Sequence, residues 1–320
     1  MPKLTRNRIL VTGATGFLGR HAVPHLKHAV PDRTIVAVGR NGGDLTTLDG
    51  ASRLLNEARP DVVVHLAAYS GGIGANRTWP ADFYFRNIMM VSCMYEAAAK
   101  CDVKKIVYTM GGCSYPATAT SPIGEDQMWA GYPQPDSAAY SSAKKMGIVA
   151  AEAYKTQFGL ISTVLVPGNL YGEFDNYRTG ESHVIPALIR RFHEAKLKRD
   201  TEVVCWGRGI AERDFAYAGD VAALLAHFID RDDDAGPINL SQGTTTTIRS
   251  LAETVQELTG YNGQIHWDTD KPEGQLYKVF GVDRMHKAGL VCPTPLRDGL
   301  KKTIDWFQTN YASAGDGLRL

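Results

Sequence analysis

Two side chains with complementary proton chemistry stand four residues apart in the run Tyr140-Ser141-Ser142-Ala143-Lys144. The residues around them, Ala138 to Phe158, carry a helical pattern, and residues four apart share one face of a helix. A phenol and an ammonium therefore meet the same pocket. A nearby cation lowers a phenol's pKa, which lets tyrosine exchange a proton near neutral pH. The lysine can also hold a nicotinamide ribose. YxxxK arises often by chance, so its weight depends on what surrounds it.

A second constellation is Gly13-Ala14-Thr15-Gly16-Phe17-Leu18-Gly19, a GxxGxxG run between an apolar stretch (Arg8 to Val11) and a helical one reaching Lys27. Gly13 permits a tight turn, Gly16 lets the backbone approach a pyrophosphate, and Gly19 allows close helix–strand packing. The helix N-terminus then faces the phosphate charge. After a second strand-like run, Thr34 to Val38, comes Gly39-Arg40. No carboxylate waits there for a ribose 2′-hydroxyl. Arg40 can accept a 2′-phosphate, which points to NADP (NADPH) rather than NAD; a solvated surface arginine is the alternative. Asp44 and Leu45, a few residues on, are placed to flank the adenine.

The elements that must position these groups alternate. Continuous apolar runs at Asp61–Leu66, Lys105–Thr109 and Leu160–Val166 are separated by helical patterns at Gly50–Ala58, Asp82–Lys100 and Ala138–Phe158. Unbroken apolar strands between helices mark a parallel sheet covered on both faces. Right-handed crossovers make it an α/β doubly wound, Rossmann-type sheet. After Pro167 the pattern loosens into a turn-rich stretch. Helices follow at His183–Lys196, Asp220–Asp230, Ile248–Thr259 and Leu296–Tyr311, with strands at Glu202–Trp206 and Pro237–Leu240. The expectation is a dinucleotide-binding domain over 1–168, with 214–240 folding back onto it. A smaller mixed carboxyl-terminal substrate lobe takes 169–213 and 241–320.

Composition narrows the class. The 320 residues hold 35 basic and 34 acidic side chains, a formal charge of +1, and 44% are hydrophobic. That is the make-up of an ordinary globule, and without a basic stripe neither nucleic acid nor a membrane surface is an expected partner. No run of about 18 uncharged apolar residues suggests a spanning helix, and the start lacks the features of a signal peptide. Five scattered cysteines (Cys93, Cys101, Cys113, Cys205 and Cys292) form no CxxC pair, which fits a reduced cytoplasmic protein without structural zinc. The nine histidines show no ligand-like pairing, so no metal is expected.

The glycine run and YxxxK together resemble the extended short-chain dehydrogenase/reductase family, whose members mostly act on nucleotide sugars. Further segments are similar to its GDP-L-fucose synthase branch: His65-Leu66-Ala67-Ala68 followed by Gly71-Gly72-Ile73 and Ala75-Asn76, Cys113 with Tyr115-Pro116, and Asn169-Leu170-Tyr171-Gly172. His183-Val184-Ile185-Pro186-Ala187, Trp206-Gly207, Arg213 before Asp214, and Lys271-Pro272-Glu273-Gly274 continue it in order along nearly the whole chain. The resemblance implies a GDP-4-keto-6-deoxy-hexose substrate, epimerised at C3 and C5 and then reduced at C4 by NADPH, in a homodimer. It implies Cys113 and His183 as the proton-shuttling pair, Tyr140 as proton donor in the reduction and Lys144 as its partner. Cofactor contacts are implied for Gly13, Thr15, Gly16, Phe17, Leu18, Gly19, Arg40, Asp44, Leu45, Leu66, Ala67, Ala68, Tyr140, Lys144, Pro167, Asn169, Leu170 and His183. Substrate contacts are implied for Gly111, Gly112, Cys113, Asn169, His183, Arg191, Trp206, Arg213 and Glu273. A thiol acting as base needs activation, which a nearby imidazolium supplies, and two arginines suit a diphosphate. The plainer alternatives are Cys113 as a small core residue, His183 as a helix cap and Arg191 as part of a solvated face.

One position departs from that pattern. The family carries a serine two residues before the cysteine, whose hydroxyl donates to the C4 oxygen; here that position is Gly111. Losing such a donor typically costs on the order of 3 kcal/mol, a hundredfold or more in rate. Ser114, Thr109, a backbone N–H or water are possible substitutes. The alternatives are therefore an epimerase with little net reduction, or a related enzyme of a different keto-sugar. Gln275-Leu276-Tyr277 also replaces the family's arginine-bearing segment.

Overall fold

A computed structural model describes residues 7–232, 236–271 and 275–312. Its first half runs β1 (Arg8–Thr12), α1 (Phe17–Ala29), β2 (Thr34–Val38), α2 (Leu48–Ala58), β3 (Val62–His65), α3 (Ile73–Thr78), α4 (Pro80–Lys100), β4 (Lys105–Thr109), α5 (Ala138–Phe158) and β5 (Ile161–Pro167). The second half adds β6 (Asn169–Tyr171), α6 (Val184–Lys198), β7 (Glu202–Trp206), β8 (Glu212–Arg213), β9 (Phe215–Tyr217), α7 (Ala218–Leu224) and β10 (Ile238–Leu240). It closes with β11 (Thr246–Thr247), α8 (Ile248–Thr259), β12 (Gln264–Asp268), β13 (Tyr277–Lys278), α9 (Asp283–Lys287) and α10 (Leu296–Tyr311).

Six parallel strands form the central sheet in the order β10-β5-β4-β3-β1-β2. The chain leaves β1 toward β2 and returns to its other side at β3, so the order reverses between β1 and β3. Ligands of such sheets bind in the crevice beyond the carboxyl ends of the strands at that reversal. The strands are apolar on both faces because both are covered. Leu10, Val63, Ile106, Tyr108, Val164 and Val166 pack with residues of α2, α4 and α5. Ile9, Val11, Val62, Val64, Val107 and Leu165 pack with α1 and α7 on the other side.

A third apolar cluster gathers Ile185, Ile189 and Phe192 of α6 with Leu251 and Val255 of α8 and Leu300, Ile304 and Phe307 of α10. Beside it β7 pairs with β12 in parallel, and β8 lies between β11 and β13. The helix expected over Asp220–Asp230 is shorter: α7 ends at Leu224, and Leu225–Phe228 tighten into a 3-10 turn that buries Leu225 and Phe228. No helix among the described residues is long and apolar enough to cross a membrane.

Gly19 shows how tightly the first turn is built. A Cβ there would overlap the Gly13 carbonyl oxygen and stand 2.7 Å from the Ala14 Cα, both backbone atoms that cannot swing aside. Overpacking of this kind typically costs about 1–3 kcal/mol. Gly19→Ala is expected to lower the melting temperature and weaken dinucleotide binding together, read by thermal unfolding and a binding titration. Wild-type values for both would show that the turn has slack.

Candidate active site

The glycine turn and the loop after β3 meet backbone to backbone. Gly13 has φ of 68°, and a Cβ there would lie 2.8 Å from the Ala67 nitrogen, within reach of Leu66 as well. Thr12 ties the two loops: its Oγ1 lies 2.9 Å from His65 Nδ1 and accepts the Ala67 N–H at 3.3 Å. α1 then begins at Phe17 and Leu18 behind Gly16, with no side chain capping it. Its leading N–H groups are left for an outside acceptor. The bare glycine cradle therefore fits a pyrophosphate. Thr15 fills the space beside Gly39, and the exposed Arg40 follows in a single 3-10 turn. Asp44 does not present a free carboxylate to an adenine: it accepts the Thr46 N–H at 2.9 Å and the Thr46 hydroxyl at 2.6 Å. Those bonds hold its carboxyl below the ordinary range. Leu45 packs against the α2/α4 core.

Tyr140 and Lys144 sit on α5, which is fixed through its own carbonyls. The buried Tyr108 hydroxyl donates to the Lys144 carbonyl at 2.9 Å, and the Ser114 hydroxyl donates to the Ser141 carbonyl at 3.0 Å. β4 and the loop after it thus grip the helix on either side of Tyr140. The Lys144 ammonium is buried over the Tyr108 ring, 4.5 Å from its centroid. His65 stacks on the same ring, with centroids 5.9 Å apart. Burial pushes Lys144 down to about 7, with Cys113 pulling the other way. Burial and the Lys144 charge push His65 down to about 3. The expected lowering of the Tyr140 phenol does not occur. Desolvation first, and Cys113 beside it second, push the phenol upward.

Gly111 is the point where the reacting groups converge. Its ideal Cβ position lies 3.4 Å from Cys113 Sγ and 3.7 Å from the Tyr140 hydroxyl. The two hydroxyls considered as replacements for the missing serine are already committed: Ser114 to Ser141, and Thr109 to the His65 carbonyl at 3.2 Å. Cys113 is half-buried in the 3-10 turn Gly112–Ser114, so it is not a core residue. Gly112 is bare because the Phe280 ring presses on it: a Cβ would come 2.8 Å from Phe280 Cε1. Beside that ring, Lys278 donates to the Gly112 carbonyl at 3.0 Å. Lys278 pairs in register with Arg213, and desolvation lowers both. Two like charges held side by side are stabilised by an anion. The buried Asp214 carboxylate fixes this corner, accepting the N–H groups of Gln242, Gly243 and Phe280 at 3.1–3.3 Å. Sequence reasoning missed Lys278, Phe280 and Asp214; only the spacing of Asp214 beside Arg213 carried a signal.

His183 precedes α6 but makes no capping hydrogen bond, so the helix-cap alternative fails. Its imidazole is open to solvent yet closely surrounded by protein, and that desolvation holds its pKa below the ordinary histidine value. The surroundings thus disfavour the imidazolium expected to activate Cys113. The glycines of the Gly71–Gly74 stretch let another loop come close: a Cβ at Gly72 would lie 2.6 Å from the Ser182 carbonyl, and Asn76 Nδ2 bonds the Gly71 and Gly72 carbonyls at 2.9 and 3.0 Å. That contact sets the backbone carrying His183. Asn169 spends its amide N–H on the Asp214 carbonyl at 2.8 Å, Pro167 ends β5, and Leu170 packs toward the α1 side. Arg191 donates to the Val204 carbonyl at 2.7 Å, which places it on β7 beside Trp206 rather than free in solvent. Trp206 is 60% exposed. Arg213 donates to the Glu212 carbonyl at 2.8 Å. Glu273 lies outside the described residues.

This geometry has relatives. GDP-L-fucose synthase of Escherichia coli (strain K12) is 35% identical over 96% of this chain and 98% of its own. A GDP-L-fucose synthetase from Naegleria fowleri, solved bound to NADP, superposes with a TM-score of 0.87 at 27% identity, covering 97% of this chain and 96% of that one. A GDP-6-OMe-4-keto-L-xylo-heptose reductase from C. jejuni reaches a TM-score of 0.88 at 25% identity, covering 96% of this chain and 99% of that one. The profile of the NAD dependent epimerase/dehydratase family matches residues 9–241. With its glycine cradle at the sheet reversal and YxxxK on the helix beside it, the chain belongs to the NAD dependent epimerase/dehydratase family.

Proposed function

We propose that this chain is an NADP-dependent 3,5-epimerase/4-reductase of a GDP-4-keto-6-deoxy-hexose. One observation carries the reading: the Tyr140 phenol and the Cys113 thiol both lie within 4 Å of the Cβ position of Gly111. A proton donor for a ketone oxygen and a group for the neighbouring carbon thus share one point. The 4-ketone acidifies the hydrogens on C3 and C5. Cys113 and His183 remove each proton and return one from the opposite face, inverting both centres without net change. The bound dinucleotide supplies the hydride that reduces C4. Tyr140 gives the C4 oxygen its proton, and a phenol held protonated by burial is the form that step requires. Lys144 loses its proton near neutrality, so it can replenish the phenol. Arg213 and Arg191 take the diphosphate, with Trp206, Asn169 and Glu273 completing the substrate contacts.

Residues 1–168 then hold the dinucleotide, with 214–240 returning to that sheet, and 169–213 with 241–320 form the substrate lobe. Five free cysteines suit the cytoplasm. A homodimer packs through the α4 and α5 side, where Tyr84, Phe85 and Val149 are exposed.

A second reading has its own observation. With Ser114 and Thr109 both engaged, Gly111 leaves the C4 oxygen one donor short, which favours an epimerase with little net reduction. One incubation in D₂O with GDP-4-keto-6-deoxymannose and NADPH separates the two. Deuterium in the sugar with stoichiometric NADPH loss is expected. Deuterium without NADPH loss selects the second reading, and neither signal overturns both. Cys113→Ser should cut deuterium uptake about a hundredfold or more while leaving NADPH binding within twofold. Undiminished uptake would remove Cys113 from the proton chemistry.

A further inference from the structure

The adenosine end of the dinucleotide crevice contains a guanidinium that neither the glycine run nor Arg40 accounts for. Directly after Ala67 and Ala68, Tyr69 is riveted to α4. Its N–H donates to Asn87 Oδ1 at 3.1 Å, and its carbonyl accepts from Asn87 Nδ2 at 2.9 Å. Arg86, the residue before Asn87, lays its guanidinium on the Tyr69 ring, 4.7 Å from the centroid. Its Nε edge faces Asp82 Oδ1 at 3.7 Å, longer than a hydrogen bond, and both side chains are half exposed. Among the described residues no hydrogen bond is made by its two Nη groups.

Leu45 of the turn after β2 packs on the same apolar cluster as Met89 of α4, and the Arg86 charge adds the smallest of the contributions that hold the Asp44 carboxyl low. That carboxylate is turned into its own loop by Thr46, so it does not occupy the Nη fork. Arg86 therefore lies against the loop after β3, on the helix that packs with the turn after β2. In a doubly wound fold this is where the adenosine ribose lies. A guanidinium held flat on a ring with its outer edge open is pre-organised for a phosphate, which it binds through two parallel N–H groups.

We propose that Arg86 is a specificity-determining residue of the cofactor site, a second guanidinium that joins Arg40 on the ribose 2′-phosphate. The charges that reach it are Asp82 on its own helix and Asp44 in the turn after β2. Asp82 and the Tyr69 ring orient the guanidinium, and the phosphate completes its coordination. The inference rests on the reading of this chain as NADP-dependent, and the experiment keeps the two apart.

The protein and its R86Q, R86K and R40Q variants would be titrated with NADPH and with NADH, followed by nicotinamide fluorescence. Competition by 2′,5′-ADP and 5′-AMP would be measured in parallel. Arg86→Gln should weaken NADPH and 2′,5′-ADP about tenfold while NADH and 5′-AMP stay within twofold. Arg86→Lys should recover only part of the loss, since an ammonium lacks the fork. Parallel weakening of both cofactors would mean that Arg86 merely supports the Tyr69 loop, and unchanged affinities would mean it stays in solvent; either overturns the proposal. If Arg40→Gln alone loses the NADPH preference, the cofactor reading stands and only the role of Arg86 falls. A wild-type protein with no preference would overturn both.

Discussion

Replacing Lys144 by Met should make the protein more stable and nearly inactive. Lys144 is 2% exposed, and burial brings it from 10.5 down to about 7. Between those two values the unfolded chain carries a proton that the folded chain does not, so stability rises with pH across that window. Below about pH 7 the folded lysine is charged and the whole desolvation cost is present. At about 1.4 kcal/mol per pH unit, the span from 7 to 10.5 corresponds to roughly 4–5 kcal/mol. Methionine fills similar volume without the charge. Lys144→Met is therefore expected to unfold at higher temperature at pH 6, with the gain shrinking as pH rises through 7 and vanishing above about 10.5. Reduction should fall by about 10²–10⁴, the range for a proton-transfer partner. Thermal unfolding across pH and single-turnover NADPH oxidation check the two halves. A variant no more stable than wild type at pH 6 would show that Lys144 is solvated in the folded protein.

The same electrostatic conflict shows which parts of the site were readable beforehand. YxxxK and GxxGxxG are local patterns: each needs one helix or one turn, and both landed on α5 and the β1–α1 turn. Strands β2 and β4 and helices α5, α8 and α10 fall on the stretches expected, because continuous apolar runs and 3.6-residue periodicity encode burial directly. Strands β6, β8, β9, β11 and β13 are only two or three residues long. No periodicity fits in that length. They exist because distant groups impose them, chiefly the Asp214 carboxylate drawing the N–H groups of Gln242, Gly243 and Phe280 together. That knot, with Lys278 on it, was out of reach of spacing arguments. The sign of the Tyr140 shift was missed for a related reason. Helical spacing brings a phenol and an ammonium together, but the depth of their pocket decides whether charge is favoured.

Restoring the missing hydroxyl is the other large expected effect, and it runs toward gain. Gly111 has φ of −140° and ψ of 146°, ordinary extended backbone that any residue adopts. A Cβ there would meet Cys113 Sγ at 3.4 Å and Tyr140 Cε1 and its hydroxyl at 3.6 and 3.7 Å, all van der Waals contacts. Serine therefore fits, unlike at Gly112, where Phe280 blocks the space. Its hydroxyl would lie beside the phenol, aimed where charge develops on the C4 oxygen. A donor so placed is worth on the order of 3 kcal/mol, about a hundredfold. Gly111→Ser should raise the single-turnover rate of NADPH oxidation by roughly that factor while deuterium uptake at C3 and C5 changes less than threefold. Gly111→Ala fills the same space without a donor and should bring no gain, which separates hydrogen bonding from packing. Under the epimerase reading the same gain starts from negligible NADPH oxidation in the wild type. If Gly111→Ser leaves the rate unchanged or lowers it, the C4 oxygen already has its donor in the wild-type site, and the bare glycine serves to make room beside Cys113 instead.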